Sequence, residues 1–407
     1  MFNLKSFITE QRNVHMEHLE DNVLNAGVDG AKRSLIFLTR LVRLLSGHSR
    51  SKLNISTKWD GAPAIFAGID PRDGKFFVAK KGVFAKNPKV YKTNKDIDAD
   101  TSGDLAAKLK IALKHLPELK IKGVIQGDLL YSKSSLKKVN INGEPHLSFH
   151  PNTIVYTVPM NTPLSKEMLA SKLGIVWHTQ YQGNSFEDMH AVFGQPIAMH
   201  LAKSKNVWFT DAVYKDVSGS ANFTANETKD IRKDLNAAIR TYKSIDKKML
   251  NDISNNHELV IRVKAFYNTY VRAGEVVNDT KSFTRDLVNH IMDYYTKQAS
   301  TKKTERGKAV QFEKQKSLLK HFVNPPKVQK IFDLMLQLNS VKLKIVDKLN
   351  KNRTLNTFLL TDKGYQVTSP EGYVAIDHLG KNAVKLVDRL NFSYANFSPN
   401  VKKGWTK

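Results

Sequence analysis

The spacing of apolar residues changes twice along the chain, which limits the folds that the chain can adopt. From residue 54 to about residue 217, the apolar residues form short β-branched and aromatic runs that are typical of strands. Between residues 221 and 353 they recur at helical spacing, and strand-like runs return after residue 354. The strand-rich parts on either side must therefore form one folded unit that a helical insertion interrupts.

This pattern predicts an α+β fold with antiparallel sheets. Leu35, Leu38 and Leu41 lie on one face of an early amphipathic helix, and "DPRDG" at 70–74 predicts a β-hairpin over 64–80. A helix follows in "NETKDIRKDLNAAIRTY", with Asn226 as its expected N-cap. The predicted parts are an N-terminal helical segment (1–50), the first part of the strand-rich domain (51–220), an all-α insertion (221–353) and the last part of that domain (354–407).

The charge balance points to a polyanionic partner. Lys and Arg number 64 against 38 Asp and Glu, which gives a net charge of +26. Nucleic acid is the first candidate partner and an anionic membrane surface is the second. A chain without cysteine excludes disulfides and cysteine-ligated zinc. No apolar stretch is long enough to cross a bilayer and no signal-peptide layout opens the chain, so we expect no membrane insertion and a cytoplasmic location.

The tetrapeptide "KWDG", residues 58–61, raises the question of whether Lys58 is a nucleophile or an ordinary strand-edge residue. An attacking amine must be unprotonated. Asp60 alone would keep Lys58 protonated, because a neighbouring anion favours the ammonium form. A nucleophilic Lys58 therefore needs further positive charge nearby, either a divalent metal or lysines such as Lys80 and Lys81, which the hairpin returns towards it.

Three more charged residues interrupt apolar strands. They are Asp128 in "VIQGDLLY", Glu371 in "SPEGYVAID" and Lys385 in "NAVKLVD". Each alone has an ordinary explanation as an edge residue.

Taken in order, the segments "KWDG", "AKKG", "QGDLLY", "PEGYV" and "VKLV" resemble motifs I, Ia, III, IV and V of the covalent nucleotidyltransferase superfamily, which contains DNA ligases, RNA ligases and mRNA capping enzymes. The resemblance covers residues 54–220 and 355–397. It implies the antiparallel-sheet adenylation domain of ligases. The stretch "GIVWHTQYQG" is also similar to proteins of large tailed bacteriophages, for which the location would be the host cytoplasm.

The resemblance implies a role for each motif. Lys58 would attack the α-phosphate of ATP and form a lysyl–AMP intermediate, in a pocket shaped by Asp60 and Gly61. Lys80 and Lys385 would neutralise phosphate charge.

The remaining implied contacts are to the ribose, the metal and the base. Asp128 would contact the ribose, and Glu371 with Asp128 would hold Mg²⁺ or Mn²⁺. Tyr156 would stack on the base, with Trp177 as the alternative.

The sequence departs from the family pattern at three positions. Lys80 stands where arginine is common, Asp128 where glutamate is usual, and Val387 where motif V has its second lysine. Val387 puts the overall ligation step in doubt, although Lys381 is a candidate substitute.

The twenty residues after Val387 are too few for an OB-fold, which favours an RNA ligase-like enzyme that seals strand ends, with DNA as a possible substrate. A GTP-dependent capping guanylyltransferase and a non-catalytic nucleic-acid-binding descendant remain alternatives. The insertion would bind the polynucleotide through its lysines and aromatics, unless those aromatics form its core: Phe266, Tyr267, Tyr270, Tyr294 and Tyr295.

Overall fold

The computed structural model describes residues 18–47, 53–214, 222–351, 355–377 and 383–404. Lys381 lies outside these ranges. The strands in chain order are β1 (Leu53–Lys58), β2 (Ala64–Ile69), β3 (Phe76–Ala79), β4 (Val124–Ser132), β5 (Lys137–Ile141), β6 (Glu144–Phe149), β7 (Ile154–Pro159), β8 (Leu173–Gln182), β9 (His190–Phe193), β10 (Val207–Asp211), β11 (Asn356–Thr361), β12 (Gly364–Val367), β13 (Gly372–Asp377) and β14 (Ala383–Leu386).

These strands form three sheets. The first has the order β10-β8-β4-β2-β3 with β9 also paired to β8, the second has the order β12-β11-β7-β6-β5, and the third has the order β1-β13-β14. Apart from the parallel pair β8–β10, the paired strands are antiparallel. The α+β class and the antiparallel sheets are therefore confirmed. The second and third sheets each combine strands from before and after the helical insertion.

The helices are α1 (Asn22–Asn25), α2 (Gly27–Leu45), α3 (Asn94–Asp100), α4 (Gly103–His115), α5 (Pro163–Ala170), α6 (Ala225–Ser244), α7 (Lys247–Ser254), α8 (His257–Ala273), α9 (Thr280–Ser300), α10 (Glu305–Leu319), α11 (Pro325–Asn350) and α12 (Arg389–Phe397). The N-cap of α6 is Thr224 and not Asn226. Thr224 and Glu227 form a capping box in which each side chain bonds to the backbone N–H of the other residue.

One apolar core joins the N-terminal helices to the insertion. Leu35, Leu38 and Leu41 of α2 pack in it with residues from α6 to α11, and the inner face of the third sheet contributes Tyr373. Phe266 and Tyr295 are buried in this core, and Tyr267, Tyr270 and Tyr294 pack against it. The insertion's aromatics are thus core residues, and its helices are packed directly against the sheet that carries Lys58.

A buried ionic cluster fixes this helical body to the C-terminal part of the chain. Lys342 of α11 lies 2.9 Å from the Glu20 carboxylate, and Arg389 at the start of α12 lies 2.8 Å from it. Burial acts to raise the pKa of Glu20, but Lys342 and Arg389 outweigh it and lower that pKa to about 2. Buried ion pairs of this kind require a fixed geometry, because an unpaired partner would keep the whole desolvation penalty.

Candidate functional site

Lys58 is the last residue of β1 and is paired in register with Gly372, the first residue of β13. Glu371 directly precedes Gly372, and its carboxylate forms an ion pair with the Lys58 ammonium. The Lys58 side chain is 26% exposed and that of Glu371 is 9% exposed. The amine is therefore accessible from solvent on one side and held by a buried acid on the other.

Burial raises the pKa of Glu371 to about 7. The Lys58 ammonium opposes this shift, while the negative charges of Asp60 and Asp128 add to it. The desolvation penalty outweighs the favourable ion pair because the carboxylate is almost fully removed from water. Glu371 can therefore gain or lose a proton near neutral pH while it contacts Lys58.

Asp60 fixes the segment after Lys58 against the second sheet. Its carboxylate, only 5% exposed, accepts hydrogen bonds from Asn152 Nδ2 at 2.7 Å and from the backbone N–H groups of Thr153 at 2.6 Å and Ile154 at 2.7 Å. Burial raises the pKa of Asp60, and these three hydrogen bonds act against that shift. With its donors already supplied by the start of β7, Asp60 positions the backbone next to Lys58.

Gly61 lies directly against the strand that carries Asp128. A β-carbon at position 61 would come within 2.6 Å of the Asp128 Cβ and 3.0 Å of the Leu129 carbonyl oxygen. The neighbouring Ala62 N–H donates to that same carbonyl at 2.9 Å. The glycine of "KWDG" is thus needed for a close approach of two backbones, which brings Asp128 to the same site as Lys58.

Asp128 has a histidine partner that the sequence analysis did not select. In the pairing of β4 with β8, Gln126 is opposite Thr179 and Gly127 is opposite Trp177, so His178 is the extra residue of a β-bulge. Its Nε2 lies 3.6 Å from an Asp128 carboxylate oxygen, and its Nδ1 lies 2.7 Å from Thr179 Oγ1. Bulges commonly re-aim a side chain next to an active site. The bulge depends on strand pairing, so no residue spacing could reveal it.

Lys385 shares a sheet face with Lys58. It is paired with Val374 on β13, which in turn is opposite Ser56 on β1. Side chains two residues apart on a strand point to the same face, as do paired residues of neighbouring strands. Lys385 therefore projects on the Lys58 side of the third sheet. Val387 is buried, and its side chain packs against Gly372.

Two predicted residues make contacts that differ from their expected roles. The Lys80 ammonium pairs with Asp100 at 2.9 Å and lies over the ring of Tyr91, because the chain after β3 turns towards α3. Tyr156 is only 2% exposed, and its ring packs against Trp59 and Phe149 in the core.

The buried position of Tyr156 does not suit base stacking, and its hydroxyl instead accepts the Asp60 N–H at 2.8 Å. The alternative stacking residue, Trp177, is fully buried.

A lysine near the end of the described chain also reaches the site. Lys403 Nζ donates to the Ala395 carbonyl at 2.6 Å and to Thr153 Oγ1 at 3.1 Å. Burial lowers the pKa of Lys403, whereas the negative charge of Asp60 raises it. Lys403 thus adds a positive charge beside the loop that holds Asp60, which nothing in the local sequence "VKKGW" indicates.

A polar cavity of about 270 Å³ adjoins the carboxylate side of Glu371. It lies between α11, α12 and the loop before β13, and its lining includes four acids and no lysine: Asp60, Asp347, Glu371 and Asp388. Within the described ranges, no group of three or more acidic or histidine side chains is arranged to hold a metal ion. The four acids give the cavity next to Glu371 an acidic lining, whereas Lys58 and Lys385 share one face of the third sheet.

The chain belongs to the family described as "Family of unknown function (DUF6267)", whose model matches residues 13–402. No curated protein matches the chain. No solved structure matches it either. Among the helices that the structure describes, none combines the length and apolarity required to span a membrane.

Proposed function

We propose that this member of the DUF6267 family is an ATP-dependent nucleotidyltransferase of the polynucleotide-ligase type, with Lys58 as its nucleophile. The observation that carries the proposal is the ion pair between Lys58, at the end of β1, and the buried acid Glu371. Asp60, Gly61 and Asp128 surround this pair in the arrangement described above. The motif order along the chain supports the same conclusion.

In the proposed first step, the Lys58 amine attacks the α-phosphorus of ATP. A nitrogen–phosphorus bond forms, the bond from the α-phosphorus to the bridging oxygen breaks, and pyrophosphate leaves with that electron pair. The Lys58 ammonium must first lose a proton, and Glu371 is in direct contact with it. A carboxyl group with a pKa of about 7 is suited to accept a proton at neutral pH.

The charges around the site suggest where the triphosphate would lie. The cavity beyond Glu371 is lined by carboxylates, which repel phosphate. Lys385 is on the Lys58 side of the third sheet, where it would attract the phosphates. Asp128 and His178, across from Lys58, would accept or donate hydrogen bonds to the ribose hydroxyls.

The residues present fit a magnesium ion bound jointly with a nucleotide. Mg²⁺ usually keeps several waters and takes one or two carboxylates together with substrate phosphates. Asp128 and the ionised form of Glu371 would supply the two carboxylates. Bound there, Mg²⁺ would neutralise charge on the phosphate oxygens.

Strand sealing is the proposed second activity, with RNA ends favoured and DNA ends possible. It requires transfer of AMP from Lys58 to a 5′-phosphate, followed by attack of a 3′-hydroxyl that releases AMP. Val387 leaves the second motif V position without a cation. We therefore expect sealing to be slow relative to adenylation.

The experiment incubates the protein with Mg²⁺ or Mn²⁺ and α-labelled ATP, GTP or NAD, and then measures acid-labile label on the denatured chain. ATP label on the wild type and on the control Lys166→Ala, but not on Lys58→Ala, is expected. Lys166 is the matched control because it is an exposed lysine of α5 in the same strand-rich domain. Label from GTP alone would favour a capping guanylyltransferase. Absence of label with all three nucleotides would contradict the proposal and favour a binding protein.

A further inference from the structure

The first helix of the insertion separates its side chains by charge. Ile231, Leu235 and Ala238 of α6 are buried in the helical core. At about 3.6 residues per turn, the exposed cations of α6 fall on one stripe and its acids on another. We call the cations the basic stripe: Lys229, Arg232, Lys233, Arg240 and Lys243.

Two of the three acids of α6 face α11 and do not neutralise this stripe. Glu227 forms an ion pair with Lys348 at 2.7 Å, and Asp234 forms one with Lys344 at 2.5 Å. The third, Asp230, is exposed and forms no ion pair among the residues that the structure describes. In the part of the chain that the structure describes, none of the five basic-stripe side chains has an ion-pair or hydrogen-bond partner. Like charges three and four residues apart on a helix repel one another, so the stripe is not explained by the stability of α6.

The dimensions of the stripe suit a phosphate backbone. Lys229 and Lys243 are fourteen residues apart, which spans about 21 Å at about 1.5 Å per residue. One strand of a nucleic-acid duplex presents a phosphate about every 3.4 Å along its axis. Five cations over this length therefore face about six phosphates of one strand.

A membrane surface fits the same stripe less well. A helix that lies in a membrane interface inserts its own apolar face among the lipids. The apolar face of α6 is already buried against α2 and α11 in the protein core. Only its charged face is open, which leaves electrostatic attraction as the binding force.

From these observations we infer that the basic stripe of α6 binds the sugar–phosphate backbone of nucleic acid. The stripe is connected to the Lys58 site through α11, whose last residue, Asn350, donates to Ser369 Oγ at 3.1 Å. Ser369 lies two residues before Glu371. A nucleic-acid strand bound to α6 would thus lie on the same packed group of helices that contacts the loop before Glu371. The inference does not depend on adenylation, because backbone binding requires no nucleotide.

The test measures binding of fluorescent single-stranded and duplex oligonucleotides over a range of salt concentrations. The variant K229Q/R232Q/K233Q/R240Q/K243Q is expected to bind at least tenfold more weakly at low salt. The affinity should also depend less steeply on salt. The magnitude of the slope of log K against log salt should decrease by up to about 4.5 for duplex and about 3.5 for a single strand. The double variant R232Q/K233Q should decrease the magnitude of the duplex slope by about 2. It keeps the test valid if the fivefold variant misfolds.

The matched control removes five exposed, unpaired lysines from around α10: K302Q/K303Q/K314Q/K316Q/K320Q. This control should keep most of the affinity. Equal losses in the stripe and control variants would overturn the inference, as would unchanged binding by both stripe variants. Binding to phosphatidylserine vesicles without binding to oligonucleotides would overturn it too.

Discussion

Replacing Glu371 by glutamine should remove one pH-dependent contribution to folding stability. The usual pKa of a glutamate is 4.5, and burial raises that of Glu371 to about 7. Between these values the folded protein holds a proton that the unfolded chain has already lost. The contribution of Glu371 to stability therefore falls as pH rises through this window and levels off above about pH 7.

The size of the effect follows from the two pKa values. From about pH 5 to about pH 8, Glu371 should lower the free energy of unfolding of the wild type by about 2.5 kcal/mol. Glutamine has no proton to lose in this range. The difference in stability between Glu371→Gln and the wild type should therefore shift by about 2.5 kcal/mol in favour of the variant over the same interval.

Urea unfolding at both pH values measures this shift by linear extrapolation. Glu313→Gln is the control, because Glu313 is an exposed glutamate of α10. It should leave the pH dependence of the wild type unchanged. Equal pH dependence in Glu371→Gln and the wild type would refute the reasoning, since it would mean that Glu371 ionises as readily in the folded protein as in the unfolded chain.

Three further substitutions test the surroundings of the site. Tyr156→Phe removes the acceptor of the buried Asp60 N–H and should lower the free energy of unfolding by about 1–2 kcal/mol, whereas an unchanged urea midpoint would argue against that hydrogen bond. Gly61→Ala places a carbon 2.6 Å from the Asp128 Cβ and should destabilise by about 1–3 kcal/mol, so a wild-type melting temperature would contradict the close approach. His178→Ala should slow ATP labelling by about tenfold with little loss of stability, because it removes a partner of Asp128; an unchanged labelling rate would exclude that role.

Local sequence patterns predicted the elements whose signals are contained in a few neighbouring residues. The hairpin of β2 and β3 turns at Asp70, where the Gly74 N–H donates to the Asp70 carbonyl at 2.8 Å. The Asn142-Gly143 turn between β5 and β6 carries an equally local signal that the sequence analysis overlooked. The N-cap of α6 was misplaced by two residues, because Thr224 and Glu227 satisfy a capping box that Asn226 cannot.

The sequence predicted only some of the residues at the candidate site. Lys58 and Glu371 could be proposed together because "KWDG" and "PEGYV" resemble motifs I and IV of one superfamily. The structure brings the two residues together through the pairing of β1 with β13. His178 and Lys403 reach the site through a bulge and through long-range packing, which leave no local pattern. Lys80 was expected near Lys58 from the hairpin alone, and the structure pairs its ammonium with Asp100 of α3 at 2.9 Å.

Peptide mapping of the nucleotide adduct tests the central claim most directly. The protein is incubated with ATP and Mg²⁺, digested under non-acidic conditions, and sequenced by tandem mass spectrometry. The account predicts AMP on the side chain of Lys58, and no modified peptide in Lys58→Ala. An adduct on a different lysine such as Lys385 or Lys403, or a wild-type protein without any adduct, would contradict it.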